Sequence, residues 1–188
     1  QTTPLQLCMM TAQIANGGYA IKPKIIVDSN PISYEDAKQS MESGLLFDTD
    51  SEELLDKKLF KNQKNIKIVQ EAMFASTNER FGTSYKSRID DPKYQFAGKT
   101  GTAQVKRISK RERELDLELE QIPYKDRDHA LYVAYGPYIN PRYALSIIVE
   151  HGGSGSKAAA PIAKKLFKLI IDRHDLRNKQ SNFERITV

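Results

Sequence analysis

Phe96-Ala97-Gly98-Lys99-Thr100-Gly101-Thr102-Ala103-Gln104 is the stretch that decides the reading of this 188-residue chain. It has the look of a β-strand carrying one cation and two hydroxyls, with the strand spanning Tyr94 to Val105. Successive side chains on a strand point to opposite faces, so Lys99 and Gly101 fall on one side and Thr100 and Thr102 on the other. Lys99 supplies a fixed positive charge, and the threonines supply hydroxyl donors. Gly101 has no Cβ, so a ligand can approach the backbone closely. Such an array suits a carboxylate or a developing oxyanion. Four residues alone fit an ordinary strand with an exposed lysine equally well, so the surroundings must decide.

Downstream, Lys106 to Asp128 is a long charged connection. Ala130–Tyr135 and Arg142–Glu150 then read as two strands of a hairpin, with Gly136 to Pro141 as the turn. Gly152-Gly153-Ser154-Gly155-Ser156 leads into a helix predicted from about Lys157 to Arg173. Its apolar stripe, Ala159, Ile162, Ala163, Leu166, Phe167, Leu169 and Ile170, is wide enough to cover a sheet. Upstream, Thr3-Pro4 is a hydroxyl cap followed by proline at the first helical position, and Asn16-Gly17-Gly18 is a helix stop. Tyr19 to Val27 reads as extended, with Pro23 placing it at an edge. Residues 28–56 lack sustained periodicity. Asn65 to Glu79 is expected to be helical, and Phe81-Gly82-Thr83-Ser84 forms a turn into a short helical stretch. The order helix, variable region, helix, strand, hairpin, helix predicts an α+β domain: an antiparallel sheet flanked by helices.

The composition narrows the class. With 39% hydrophobic and 28% charged residues the chain reads as globular, and its length suits one domain. Basic residues number 29 against 24 acidic, for a net charge of +5. The segment Lys106–Arg113 holds five basic residues, but Glu112, Glu114, Asp116, Glu118 and Glu120 interleave with it or follow directly. A solvated mixed-charge surface therefore fits better than a nucleic-acid patch. Cys8 is the sole cysteine and reads as a small buried hydrophobe. No apolar run reaches the length of a membrane span; Ala144 to Val149, broken by Ser146, is the longest. The chain starts without Met on a helix signal, as expected of a piece of a longer protein whose anchor lies elsewhere.

The residues around the motif resemble those of class B penicillin-binding proteins. Gln1-Thr2-Thr3-Pro4-Leu5-Gln6-Leu7 with Asn16-Gly17-Gly18 is similar to a helix of their transpeptidase core. Phe81-Gly82-Thr83 resembles the Gly-Thr-Ala turn before their Lys-Thr-Gly strand, and Phe96 to Gln104 matches that strand throughout. Arg127 to Pro137 resembles the next strand. His151-Gly152-Gly153-Ser154-Gly155 with Ala158-Ala159-Ala160-Pro161 resembles the approach to the last helix. The likeness runs from Gln1 to about Asp172, weakest across residues 28–64. It is greatest to the elongation-type member, with the division-specific paralogue as nearest competitor.

That resemblance implies the penicillin-binding and serine β-lactamase fold, here only its C-terminal portion, with three strands and the terminal helix. Residues 1–175 would belong to the transpeptidase domain, with 28–64 and 106–128 as variable surface segments and 176–188 as a polar tail. It also implies serine acyl transfer on the D-alanyl-D-alanine end of a peptidoglycan stem peptide, with β-lactam antibiotics trapping the acyl stage. No cofactor or metal is called for. Lys99 would supply positive potential and help proton traffic. Thr100, Gly101 and Thr102 would line the substrate site, with Thr102 giving a backbone oxyanion donor. Other cell-wall elongation proteins are the expected partners, nucleic acid is not, and the location is the periplasmic face of the inner membrane.

The nucleophile is missing from these residues. Ser154-Gly155-Ser156-Lys157 fits Ser-x-x-Lys but follows the Lys-Thr-Gly strand, where the family places its serine far upstream. Ser76-Thr77-Asn78 fits Ser-x-Asn but sits in the last turns of a predicted helix. His129, His151 and His174 are too scattered for a metal site. Asp128-His129 is no triad, since adjacent strand side chains diverge. Two other readings stay open: a non-catalytic module that binds peptide carboxylates, and part of a serine β-lactamase.

Overall fold

The structure, a computed structural model, describes residues 2–21, 23, 58–107 and 117–186, with side chains to residue 177. The expected excursion at 28–56, most of the extended stretch to Val27 and the basic core of the 106–128 connection lie outside the described residues.

Helix α1, Pro4–Ala15, starts as its sequence demands. Thr3 Oγ1 accepts the amide of Gln6 at 3.2 Å while Gln6 Oε1 accepts the amide of Thr3 at 2.8 Å, a reciprocal cap. It stops at Asn16, followed by Gly17 and Gly18 at φ of 89° and 92°. Helix α2, Gln63–Asn78, is capped by Asn62 and turns Ile66, Met73 and Thr77 inward. Gln70 Nε2 donates to the carbonyl of Ile14 at 2.7 Å, so α2 supplies a donor to the C-terminal end of α1.

Strands β1, Ala97–Ala103, β2, His129–Gly136, and β3, Tyr143–Val149, form an antiparallel sheet in that order. The register pairs Lys99 with Val133, Thr100 with Tyr132 and Gly101 with Leu131. Ala97, Tyr135, Val133 and Ala144 thus share one face and pack with Met73, Phe74, Ile14 and Ala15 of α2 and α1. The opposite face, Ala130, Tyr132, Ala134, Leu145 and Ile147, packs on the last helix. That helix begins as a π-helical turn, Gly155–Ala159, and continues as α3, Ala160–Ile186. It outruns the predicted end at Arg173 because no glycine or proline follows Pro161 to stop it. Among the described residues no helix is long and apolar enough to cross a membrane.

Phe167 of α3 stacks on Phe96 at 4.9 Å, and Phe96 meets Tyr132 edge-on at 6.4 Å; all three are fully buried. Outside this core, Lys93 sits 3.0 Å from both Asp172 and Asp175, tying the approach to β1 onto α3. These groups are exposed, so the bridge adds little. Truncating Phe167 removes the ring between sheet and helix. Phe167→Ala is expected to cost about 3–5 kcal/mol, read as a fall of roughly 6–20 °C in the thermal midpoint.

Candidate active site

The motif strand is an edge of the described sheet, and its backbone groups alternate between β2 and open space. Asn78 Nδ2 donates to the carbonyl of Phe96 at 2.9 Å, and Lys99 Nζ donates to the carbonyl of Thr100 at 3.0 Å. Both acceptors lie off the ladder, so even-numbered residues here turn their backbone groups to the free edge. By the same alternation the amide of Thr102 points outward.

The side chains converge on that edge. Lys99 is exposed, and its Nζ curls back to 3.5 Å from Thr100 Oγ1. Among the described residues Lys99 makes no ion pair. Thr100 Oγ1 is 3.2 Å from Thr83 Oγ1, which is 3.3 Å from Ser76 Oγ. An ammonium and a file of three hydroxyls thus line one ledge, suited to an anion. Thr83 did not stand out as a site residue in the sequence; its only signal was the Gly82-Thr83 turn.

Two close approaches fix this ledge from behind. A Cβ on Gly98 would lie 2.4 Å from the Tyr132 hydroxyl, so glycine lets that phenol pass beneath β1. A Cβ on Gly155 would lie 2.3 Å from the carbonyl oxygen of Leu131 and 2.8 Å from that of Gly101. The turn into the last helix therefore stacks directly on the backbone of the Gly101–Leu131 pair.

The formal serine motifs have structural duties. Ser154 Oγ bonds Ser156 Oγ at 3.0 Å rather than Lys157, which is exposed. Thr77 bonds the Tyr132 hydroxyl at 2.9 Å, and Asn78 pins Phe96, so Ser76-Thr77-Asn78 fastens α2 to the strand. His129 and His151 do come together, ring centroids 4.8 Å apart, with His129 Nδ1 accepting the amide of His151 at 2.9 Å. His151 Nδ1 meets the carbonyl of Arg127, which can only accept, so this nitrogen carries the proton. Asp128 Oδ1 accepts the amide of Val105, closing the end of β1 onto β2. Cys8 is half-buried with its thiol 3.5 Å from the carbonyl of Ala144, and burial pushes its pKa up.

An edge strand bearing Lys-Thr-Gly-Thr, backed by a glycine-rich approach to a C-terminal helix, is the arrangement of a transpeptidase domain. The penicillin-binding protein transpeptidase domain family matches residues 1–168, and the chain belongs to that family. Over 105 residues, 56% of the chain, it is 37% identical to the peptidoglycan D,D-transpeptidase MrdA of Salmonella typhimurium. Among solved structures it is similar to Pseudomonas aeruginosa PBP2 in complex with WCK 5153, at 29% identity and a TM-score of 0.59, over 90% of this chain. It is equally similar to PBP2 of Helicobacter pylori in complex with MreC, at 30% identity and a TM-score of 0.59, over 89% of this chain. The matches cover 16% of the Salmonella relative and 30% and 25% of the two solved chains, so the chain spans well under half the length of each.

The two glycines flanking the ledge separate in their expected behaviour. Gly155→Ala forces a methyl into backbone and should destabilise by about 1–3 kcal/mol. Gly101→Ala meets only Leu131 Cβ, at 3.3 Å, and should stay within about 1 kcal/mol of the parent. Urea denaturation of both variants checks the contrast.

Proposed function

We propose that this chain forms the C-terminal wall of the catalytic cleft of a peptidoglycan D,D-transpeptidase of the elongation type. The ledge at the free edge of β1 carries the reading: exposed Lys99, the hydroxyls of Thr100 and Thr83, and the outward amide of Thr102. Membership of the transpeptidase family supports it.

In the reaction a serine from outside these 188 residues attacks the carbonyl joining two D-alanines. The serine proton leaves through a neighbouring base, the C–N bond breaks, and the terminal D-alanine departs with a proton on its amine. An amine of a neighbouring strand then attacks the acyl-serine, restoring the hydroxyl and forming the cross-link. Lys99 stabilises the negative charge that develops and assists the proton's path. The hydroxyls of Thr100 and Thr102 hold the terminal carboxylate. The amide of Thr102 is one of two donors to the oxyanion, a contribution of about 3 kcal/mol. A β-lactam would present its own carboxylate and carbonyl to the same groups and stop at the acyl stage. By analogy with the Helicobacter pylori complex, an elongation protein of the MreC kind is a partner. The place of action is the periplasmic face of the inner membrane.

Fluorescent penicillin tests this. The complete protein should be labelled at a serine beyond this segment, and the 188-residue chain alone should not. Lys99→Ala in the complete protein should slow labelling about 100- to 10,000-fold with folding intact. Unlabelled complete protein, or unchanged acylation in the variant, would sink the proposal.

A further inference from the structure

An open groove of about 800 Å³ runs beside the ledge, between the Thr83 turn and the first turns of α3. Arg80, Lys86, Lys157, Lys164, Lys165 and Lys168 line it, and no carboxylate does. None of the six makes an ion pair among the described residues, and only Lys164 is even half-covered. Six cations lining one groove exceed the net charge of +5 of the whole chain. Asp172, one turn beyond Lys168, is bonded by Lys93 and Tyr94 and also feels the charge of Lys168, whose ammonium lies 5.9 Å over the Tyr94 ring. Like charges four residues apart, as at Lys164 and Lys168, repel on a helix. With no carboxylate among the lining residues, this concentration of like charge suits an anionic occupant.

The shape narrows the ligand. Lys157 to Lys168 spans eleven residues, roughly 16 Å at the helical rise, which an extended chain of about five residues covers. Between the cationic heads lie lysine stems, Pro161 and Tyr85, an apolar floor. Alkyl segments between spaced negative charges fit it better than bare phosphate. Arg88 lies 4.2 Å over the ring of Tyr85, which removes that face from base stacking and argues against single-stranded nucleic acid. A concave groove also suits a strand better than a flat lipid surface. The near end is shared with the ledge, because Thr83 lines the groove and bonds Thr100.

We infer that this groove is a binding site for an extended acidic peptide whose carboxylates pair with the lysines of α3. That the peptide belongs to the polymer being cross-linked rests on the transpeptidase reading; the binding itself does not.

Fluorescence anisotropy of the 188-residue chain with a fluorescein-labelled Glu-Ala-Glu-Ala-Glu peptide tests the site. Saturable binding that weakens with salt is expected, with a Gln-Ala-Gln-Ala-Gln control bound far less. Lys164→Glu with Lys168→Glu should weaken binding by about tenfold or more. Lys164→Arg with Lys168→Arg, which keeps charge and helix propensity, should retain it, and circular dichroism confirms that each variant is folded. Absence of saturable binding, binding indifferent to charge reversal, or loss in the arginine variant overturns the proposal. So does preferential capture by phosphatidylglycerol vesicles or equal displacement of the peptide by inorganic phosphate. Acylation by penicillin is read separately in the complete protein. Binding without acylation leaves the groove standing and removes the transpeptidase reading, and acylation without binding removes only the groove.

Discussion

The hydroxyl of Tyr132 lies in the middle of the sheet, fully buried, and must be hydrogen-bonded there or cost the fold heavily. Thr77 Oγ1 at 2.9 Å and Ser84 Oγ at 3.0 Å satisfy it, one from α2 and one from the turn before β1. Ser84 Oγ has one proton, and its contact with the carbonyl of Ser76 at 3.0 Å uses it. Tyr132 therefore donates to Ser84 and accepts from Thr77, an assignment that leaves every short contact satisfied. It also explains why the other contacts of Thr77, to Ser84 Oγ and the carbonyls of Met73 and Gly98, are long at 3.3, 3.4 and 3.5 Å. Burial holds the phenol well above its ordinary pKa, so it stays a neutral donor.

From that one network the placement of the ledge follows. Tyr132 reaches Thr77 by passing beneath Gly98, which holds β1 to α2 at a distance no larger residue permits. Ser84 is fixed by the same bond, and with it the turn that carries Thr83 to Thr100. At the far end, Gly155 stacks on the Gly101–Leu131 backbone and Asp128 takes the amide of Val105. A strand clamped at both ends can leave its outer edge bare. Chemistry on an anion needs that combination: polar groups held without freedom to reorganise, yet facing open space.

Local signals made the elements legible, and long-range ones stayed hidden. The cap of α1, the hairpin and the alternation of Lys99, Thr100 and Gly101 each depend on residues a few positions apart. The role of Ser76-Thr77-Asn78 depends on Tyr132, which is 55 positions from Thr77, and nothing in the segment's own pattern announces it. The pairing of His129 with His151 likewise requires the β2–β3 register. The end of the last helix was misjudged for another reason. Rising polarity past Asp175 signals the loss of a buried face, whereas a helix ends where its backbone is interrupted, and residues 174–186 hold no glycine or proline.

The charge distribution ties these levels together. The Lys106–Arg113 segment attracts notice in the sequence because its cations are contiguous, but Lys106 is paired with Asp126 at 3.4 Å. The cations lining the groove are dispersed from Arg80 to Lys168 and only the fold assembles them, α3 bringing three, the π-helical turn before it one and the 80–86 turn two. A field built from scattered residues persists only where no carboxylate has been placed to cancel it. Here that region abuts a strand whose own lysine makes no ion pair among the described residues. Positive charge therefore extends from the groove through the Thr83–Thr100 contact to Lys99, so an anionic chain held in the groove lies next to the motif strand.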